Sequence, residues 1–253
     1  MGLHPLTTTK LKGQIQFNGQ NLLKLSAAKL NKVRGKQIGM IFQDPLTALN
    51  PLAKVGAQIE EPMKHHLRLS AANRQQRTLE LLRRVGIKNE HRVYSQYPHE
   101  LSGGMRQRVV IAIALSCDPM LLIADEPTTA LDVTIQAQIM DLMKELQRNI
   151  RSGILLITHD LGVVAEMADR VAVMYAGEVV ECAEVNELFK HPLHPYTRSL
   201  LSSIPTKSST KGKLHVIEGM VPALHQLERT GCRFAPRIPW IDASTFFSHS
   251  NIR

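Results

Sequence analysis

The sequence is poor in the residues that build covalent or metal cross-links. Its 253 residues include only three cysteines, Cys117, Cys182 and Cys232, which lie far apart. They form no CxxC pair, and no histidine stands beside them at metal-ligand spacing. The chain therefore indicates neither a disulfide framework nor a zinc site.

Long hydrophobic runs are also missing. The longest apolar stretches, such as residues 109–115 and 120–124, are core-sized, whereas a membrane-spanning helix needs about 20 apolar residues. The first 12 residues lack the basic and then apolar pattern of a secretory signal. We therefore expect a chain that does not cross a membrane and stays in the cytoplasm.

Aromatic residues make up only 4% of the chain, although its formal net charge is +9. Single-stranded nucleic acid is bound on platforms where aromatic residues stack on the bases beside basic side chains. The basic residues here are spread along the chain. The composition thus argues against nucleic-acid binding and favours a solvated basic face beside a membrane complex.

What the sequence does contain is an alternation of apolar runs with helical patterns. Residues 120–124 and 154–158 are continuous apolar runs, typical of strands covered on both faces, and residues 171–175 are a third candidate. Between the first two, residues 132–151 carry apolar positions at helical spacing and end before Gly153. The pattern predicts an α/β fold with a mostly parallel sheet.

Two other parts of the chain differ from this pattern. Residues 55–100 hold charged helical segments without a strand run, which predicts a helical insertion in the α/β core. Residues 208–212 have the composition of a linker, and the tail beyond them lacks periodicity. We predict a main domain over residues 1–205, with a helical subdomain at about 55–117, and an extension over residues 206–253.

The segment LSGGM, residues 101–105, precedes an apolar helical run. Ser102 is of a type that caps helix N-termini, and Gly103 and Gly104 let the backbone approach a ligand closely. The free amides at a helix start attract anions, so the segment predicts an anion site. Taken alone, an ordinary helix start explains it equally well.

Two adjacent carboxylates, Asp125 and Glu126, end a predicted strand in the run LLIADEP. Open α/β sheets bind ligands beyond the carboxyl ends of their strands. Asp125 is thus a candidate magnesium ligand, and Glu126 a candidate base that polarises an attacking water. His159 follows the next predicted strand, where it can reach a terminal phosphate, although a single histidine is more often an ordinary polar residue.

Together these segments resemble the ABC ATPase family. In that family's order, the chain contains MIFQDP like the Q-loop, LSGGM like the signature, LLIADEP like the strand of the magnesium-binding and catalytic carboxylates, ALD like the D-loop and ITHD like the switch histidine. The resemblance covers residues 10 to about 205. It implies a P-loop NTPase fold, ATP and Mg²⁺ as cofactors, and hydrolysis at an interface between two subunits.

The resemblance also implies roles for individual residues. Glu126 and His159 are implied as catalytic, and Asp125 with Gln43 as metal ligands. The implied nucleotide-binding residues are Ser102, Gly103, Gly104, Met105, Gln107, Gln43 and Asp132. In such a dimer the signature residues act on the nucleotide of the partner subunit.

Further segments are similar to one branch of that family, the oligopeptide, dipeptide and nickel importer ATPases. They are YPHE before the signature, HPLHPYT at residues 191–197 and GCRFAPR at residues 231–237. The similarity implies ATP hydrolysis coupled to peptide import, with nickel import as a less favoured alternative.

The same similarity implies the partners and the location of the chain. The partners are a second ABC ATPase subunit, in a homo- or heterodimer, and integral membrane permease subunits. A periplasmic or extracellular peptide-binding protein is an indirect partner, and nucleic acid is not expected as one. The implied location is peripheral, on the cytoplasmic face of the cell membrane.

Two features depart from the family pattern. No GxxxxGK[ST] motif occurs in the 253 residues, so we expect a chain that lacks the N-terminal strands and the P-loop that holds the phosphates. The tail keeps Cys232, but Ile238 stands where this branch has another cysteine, and an iron–sulfur cluster needs about four thiolates.

Two alternatives to an active importer ATPase stay open. One is an inactive or half-site subunit, and the other, less favoured, is a soluble ABC protein acting on nucleic acid or the ribosome.

Overall fold

The computed structural model of the chain describes residues 1–3, 7–129, 131–149, 152–204, 217, 219–221 and 231–238. It divides into two compact units, Met1–Thr158 and His159–Arg253. The predicted linker at 208–212 and the predicted boundary at 205–206 lie outside the described residues, so both stay predictions.

The described residues of the first unit form the strands β1 (Gln16–Phe17), β2 (Gln20–Asn21), β3 (Ile38–Ile41), β4 (Leu121–Asp125) and β5 (Gly153–Ile157). β1 and β2 are a short antiparallel pair, while β3, β4 and β5 form a parallel sheet with β4 in the middle. Parallel pairing puts the carboxyl ends of all three strands at one edge, where Ile41 pairs with Ala124 and Asp125 with Ile157. The predicted strands β4 and β5 are confirmed.

The side chains of β5 are less buried than the sequence predicts. Its continuous apolar run predicted cover on both faces, yet Leu155 and Ile157 are 52% and 45% exposed. Successive strand residues point to opposite faces, and only the other face of β5 is partly covered. β5 is an edge strand of the described sheet, whereas Leu122 and Ala124 on the central β4 are fully buried. The prediction of two covered faces is therefore wrong for β5.

The helices of this unit are α1 (Ala27–Val33), α2 (Pro45–Ala48), α3 (Val55–His66), α4 (Ala71–Arg84), α5 (Glu90–Ser95), α6 (Gly103–Leu115) and α7 (Val133–Asn149). Residues 55–100 contain only α3, α4, α5 and a short 3₁₀ turn, so the predicted helical insertion is confirmed. The predicted crossover helix between β4 and β5 is α7.

The helical insertion packs its apolar faces against α6. Ile59 of α3, Leu82 of α4 and Ile111 of α6 are all fully buried. Full burial of such a side chain stabilises the fold by about 1.5–3 kcal/mol. The helix that begins at the LSGGM segment is thus anchored firmly in the unit.

A buried carboxylate joins three helices of the insertion. Glu60 of α3 accepts hydrogen bonds from the Tyr94 hydroxyl of α5 at 2.5 Å and from Arg74 Nε of α4 at 3.4 Å. The charge is tolerated in the interior because these donors satisfy it. Burial, followed by the hydrogen bond to Glu60, raises the pKa of Tyr94 to about 12.

The second unit contains an antiparallel hairpin made of β6 (Arg170–Tyr175) and β7 (Glu178–Glu184). Its two-residue turn, Ala176–Gly177, has positive φ angles of 48° and 85°, as a type I′ hairpin turn requires. Residues 171–175 are therefore a strand, as predicted, but they do not extend the parallel sheet. The turn reverses the chain immediately, so β6 pairs with β7. The sequence analysis missed β7 because its charged residues interrupt the apolar run.

The described residues of the second unit form the helices α8 (Leu161–Met167), α9 (Val185–Lys190) and α10 (Pro195–Ser202) and a 3₁₀ turn at Ala235–Arg237. An aromatic cluster of Tyr175, Tyr196 and Phe234 holds that turn on β6 and α10, with Phe234 fully buried. Within the part of the chain that the structure describes, every helix is too short or too polar to span a membrane.

Candidate functional site

The carboxyl edge of the parallel sheet collects side chains from distant parts of the sequence. Gln43 follows β3 by two residues, and Asp125 and Glu126 stand at the end of β4. Gln43 and Glu126 are 83 positions apart in the sequence, yet Gln43 Nε2 donates a hydrogen bond to Glu126 Oε2 at 2.7 Å. The structure thus brings together two of the residues that the sequence predicts at this site.

Glu126 is held in an uncommon backbone conformation. Its φ angle is +43°, in the left-handed region that residues other than glycine rarely adopt. Its amide donates to Ile157 O of β5 at 2.9 Å, and its Oε2 also accepts from Thr129 Oγ1 at 2.8 Å. Backbone strain of this kind, about 1–3 kcal/mol, persists only where the surroundings fix the residue. The carboxylate of Glu126 therefore has a fixed position.

Thr129 is a site residue that the sequence analysis missed. Its amide donates to Glu126 O at 3.1 Å, which closes a turn over Pro127 and Thr128. Proline favours such turns because its φ is preset. The sequence did carry a signal for this contact. Thr129 bears a hydroxyl three positions after the glutamate that follows the strand, and one turn spans that distance.

The loop after Glu126 is held by amide side chains from two helices. Gln107 Nε2 of α6 donates to Pro127 O at 2.7 Å, and Gln136 Nε2 of α7 donates to Thr128 O at 3.1 Å. Gln107 is only 1% exposed. The structure therefore places it behind the loop, and its predicted nucleotide contact stays a prediction. Gln136 was not singled out from the sequence.

The LSGGM segment forms the start of α6. Ser102 is its N-cap, as predicted, and accepts from Met105 N at 3.4 Å. Gly103 is exposed and Met105 half-buried, but Gly104 is buried against α7. A Cβ atom at Gly104 would lie 2.7 Å from Ile135 Cγ2, so this glycine permits close helix packing. The nucleotide contacts of these four residues stay predictions.

Asp132 caps the start of α7. Its Oδ1 accepts from Ile135 N at 3.0 Å, and its carbonyl accepts from Gln136 N at 2.8 Å. The side chain remains exposed. A capping role accounts for an aspartate at this position, and its predicted nucleotide contact stays a prediction.

His159 is the first residue of the second unit and follows β5 by two residues. Its neighbour Asp160 caps α8 by accepting from Gly162 N at 2.8 Å and Val163 N at 3.2 Å. This cap fixes the turn that carries the histidine. The catalytic role of His159 stays a prediction.

The donor set at the sheet edge fits a hydrated Mg²⁺ ion. Asp125 and Glu126 carry carboxylate oxygens and Gln43 carries an amide oxygen. Within the described ranges, no three His, Cys, Asp or Glu side chains are grouped to hold a metal. Mg²⁺ usually takes one or two carboxylates and completes its shell with water and phosphate oxygens. Two carboxylates at an open edge suit that kind of coordination.

Comparison with known proteins bears on this site. The family model described as "ABC transporter" matches residues 5–129, and "Oligopeptide/dipeptide transporter, C-terminal region" matches residues 180–240. The oligopeptide transport ATP-binding protein OppD of Lactococcus lactis subsp. cremoris is 53% identical over 241 residues, which are 95% of this chain and 71% of that protein. The chain belongs to the ABC transporter family.

Other relatives agree with this assignment. The oligopeptide transport ATP-binding protein AppD of Bacillus subtilis is 50% identical over 249 residues, covering 96% of this chain and 76% of its own length. Among solved structures, the ATP-binding cassette MJ0796, a dimer in a post-hydrolysis state with ADP and Pi, is 31% identical with a TM-score of 0.62. That similarity covers 69% of this chain and 74% of the cassette. The α/β cassette fold predicted from the sequence is confirmed.

The two family matches contain most of the segments that carried the resemblance. Every predicted site residue except Asp132 and His159 lies within residues 5–129. The HPLHPYT and GCRFAPR segments both lie within residues 180–240. The resemblance to the oligopeptide and dipeptide branch is therefore confirmed.

Proposed function

We propose that this chain is the ATP-binding and ATP-hydrolysing subunit that powers a peptide importer. The observation that carries the proposal is the Glu126 carboxylate, which Gln43 and Thr129 hold at the carboxyl edge of a parallel sheet. Its relatives are named oligopeptide and dipeptide transport ATP-binding proteins, and these names supply the transported class.

ATP with Mg²⁺ is the proposed cofactor pair at this edge. Asp125 and Gln43 would hold the cation, and the cation would neutralise phosphate charge. Gln43 turns its amide nitrogen to Glu126, so its oxygen is the atom left to face a cation.

Glu126 is the proposed group that orients and polarises the attacking water. A carboxylate oxygen accepts a hydrogen bond from water, and its proton affinity draws the proton away as the bond to phosphorus forms. The donors Gln43 Nε2 and Thr129 Oγ1 both bind Oε2. They orient the carboxyl group that would polarise the water. His159 would contact the terminal phosphate.

The signature residues Ser102, Gly103 and Gly104 are proposed to act on the nucleotide of a second ATPase subunit. The free amides and N-cap hydroxyl at the start of α6 suit an anionic phosphate, and a related cassette has been solved as a dimer. The further proposed partners are integral membrane permease subunits, with a peptide-binding protein acting indirectly. The proposed location is peripheral, on the cytoplasmic face of the membrane.

The test of this proposal is ATP hydrolysis by a chimera. Since no GxxxxGK[ST] motif lies in the 253 residues, an N-terminal segment of an ABC ATPase that contains this motif is placed before residue 1 to make the P-loop chimera. Glu126→Gln should lower turnover by about 10²- to 10⁴-fold, because the amide cannot take the proton, while ATP still binds.

A matched control makes the same chemical change elsewhere. Glu80 is an exposed residue of α4 whose carboxylate accepts a hydrogen bond from Gln76, and Glu80→Gln should leave turnover unchanged. A chimera that hydrolyses ATP equally well with and without Glu126 would refute the catalytic role. Uptake of a labelled oligopeptide and of nickel by cells carrying each variant then identifies the transported class.

A further inference from the structure

Gln107 is a polar side chain whose burial is not explained by a gain in stability. It is one of the largest fully buried side chains of the protein, yet it is polar. Its Nε2 makes a single hydrogen bond, to Pro127 O, while its Oε1 has no hydrogen-bond partner among the described residues. One hydrogen bond gained and one desolvated oxygen left unpaired roughly cancel in free energy. The Gln107 side chain therefore fixes the position of Pro127 O more than it stabilises the fold.

The atom that Gln107 holds lies next to the proposed catalytic residue. Pro127 directly follows Glu126, whose backbone is in the left-handed region. Gln136 of α7 holds the next carbonyl, Thr128 O, from the other helix. Consecutive carbonyls of one short loop are thus bound by side chains of α6 and α7, and the same loop carries Thr129, which donates to Glu126 Oε2.

We propose that Gln107 is a positioning residue that holds the Glu126 loop on the helix of the LSGGM segment. α6 begins at Gly103 and packs closely on α7 at Gly104. The helix start and the Glu126 loop are therefore joined through one buried hydrogen bond. This inference deepens the proposed function, since it concerns the carboxylate on which that proposal rests.

Gln107→Met tests the inference because methionine keeps the length and volume of the side chain but removes the donor. In the P-loop chimera it should lower kcat about tenfold or more, since small misplacements of reacting groups cost up to about 10²-fold. The KM for ATP should stay within about threefold, because Gln107 is buried and acts through the loop.

Hydrogen exchange gives a second readout that does not depend on turnover. The amides of Thr129 and Leu131 donate to Glu126 O and Thr128 O inside the loop. In the 253-residue chain, Gln107→Met should speed their exchange about tenfold with an unchanged midpoint of thermal unfolding, since local opening is independent of global unfolding.

The control is Gln138→Met. Gln138 also joins α7 to α6, through Arg108, but it does not touch the loop, so neither kcat nor the exchange of the loop amides should change. Loop exchange within twofold of wild type in Gln107→Met, or a parallel fall of unfolding midpoint, kcat and affinity, would overturn the inference. A chimera without any turnover would instead count against the proposed function, and the exchange result would still decide the role of Gln107.

Discussion

The two glycines at the start of α6 have different surroundings, and a pair of alanine substitutions separates them. A Cβ at Gly103 would meet only Leu131 Cδ2 at 3.7 Å, which is an ordinary contact. A Cβ at Gly104 would lie 2.7 Å from Ile135 Cγ2, about 1 Å inside the optimal separation of carbon atoms. We predict that Gly104→Ala destabilises the fold and that Gly103→Ala does not.

The magnitude follows from two opposing effects. Alanine is favoured over glycine in a helix by up to about 1 kcal/mol, and this gain applies to both adjacent positions. Overpacking of a well-packed interface costs about 1–3 kcal/mol and applies only at Gly104. Gly104→Ala should therefore be less stable than Gly103→Ala by about 1–3 kcal/mol, because the shared gain cancels in the comparison.

Urea unfolding of the 253-residue chain measures this difference through the shift in the transition midpoint. A double-mutant cycle then identifies the contact. In the background of Ile135→Ala, which removes the clashing Cγ2 atom, the penalty of Gly104→Ala should largely disappear. Equal free energies of unfolding for Gly103→Ala and Gly104→Ala, within about 0.5 kcal/mol, would refute the reasoning and leave nucleotide contact as the only role for Gly104.

Two further predictions concern the proposed catalytic residue His159 and the half-buried Tyr94. In the P-loop chimera, His159→Ala should lower turnover far more than ATP affinity, because a contact to developing phosphate charge matters most in the transition state; an equal loss of both would make it a structural residue. Tyr94→Phe should cost about 1.5–3 kcal/mol near pH 8, since its hydroxyl binds the Glu60 carboxylate. The folded pKa of Tyr94 is raised from 10.0 to about 12, so its contribution is complete below pH 10 and is lost as the pH rises towards 12. Urea unfolding of both proteins should show their stabilities converging over that range, and a constant gap would contradict the assignment.

Local patterns in the sequence predicted much of this fold. The apolar runs of β4 and β5, the amphipathic α7 between them and the strand-free stretch of residues 55–100 all carry their periodicity within a few residues. The N-cap at Ser102 was predicted for the same reason, because the residue type and the position just before a helix suffice.

Predictions that depended on distant neighbours did less well. The exposure of β5 depends on which elements lie beside it, and its residues alone do not carry that information. The pairing of β6 depends on the turn at Ala176–Gly177, where a non-glycine residue adopts a positive φ. The nucleotide contact that the resemblance implied for Gln107 stays a prediction. The sequence did not show its hydrogen bond to Pro127 O, because the direction of the side chain depends on the packing of α6 against the Glu126 loop.

The sequence by itself determined the family of the protein and the chemical types at its site, because the motifs around Gln43, Ser102, Asp125 and His159 are contiguous and stand in a fixed order. Only the tertiary structure decided that Gln43 and Thr129 share one oxygen of Glu126, and that Gln107 supports the loop from behind. The reason is physical. A hydrogen bond between residues 83 positions apart depends on sheet register and helix packing, which are properties of the whole unit.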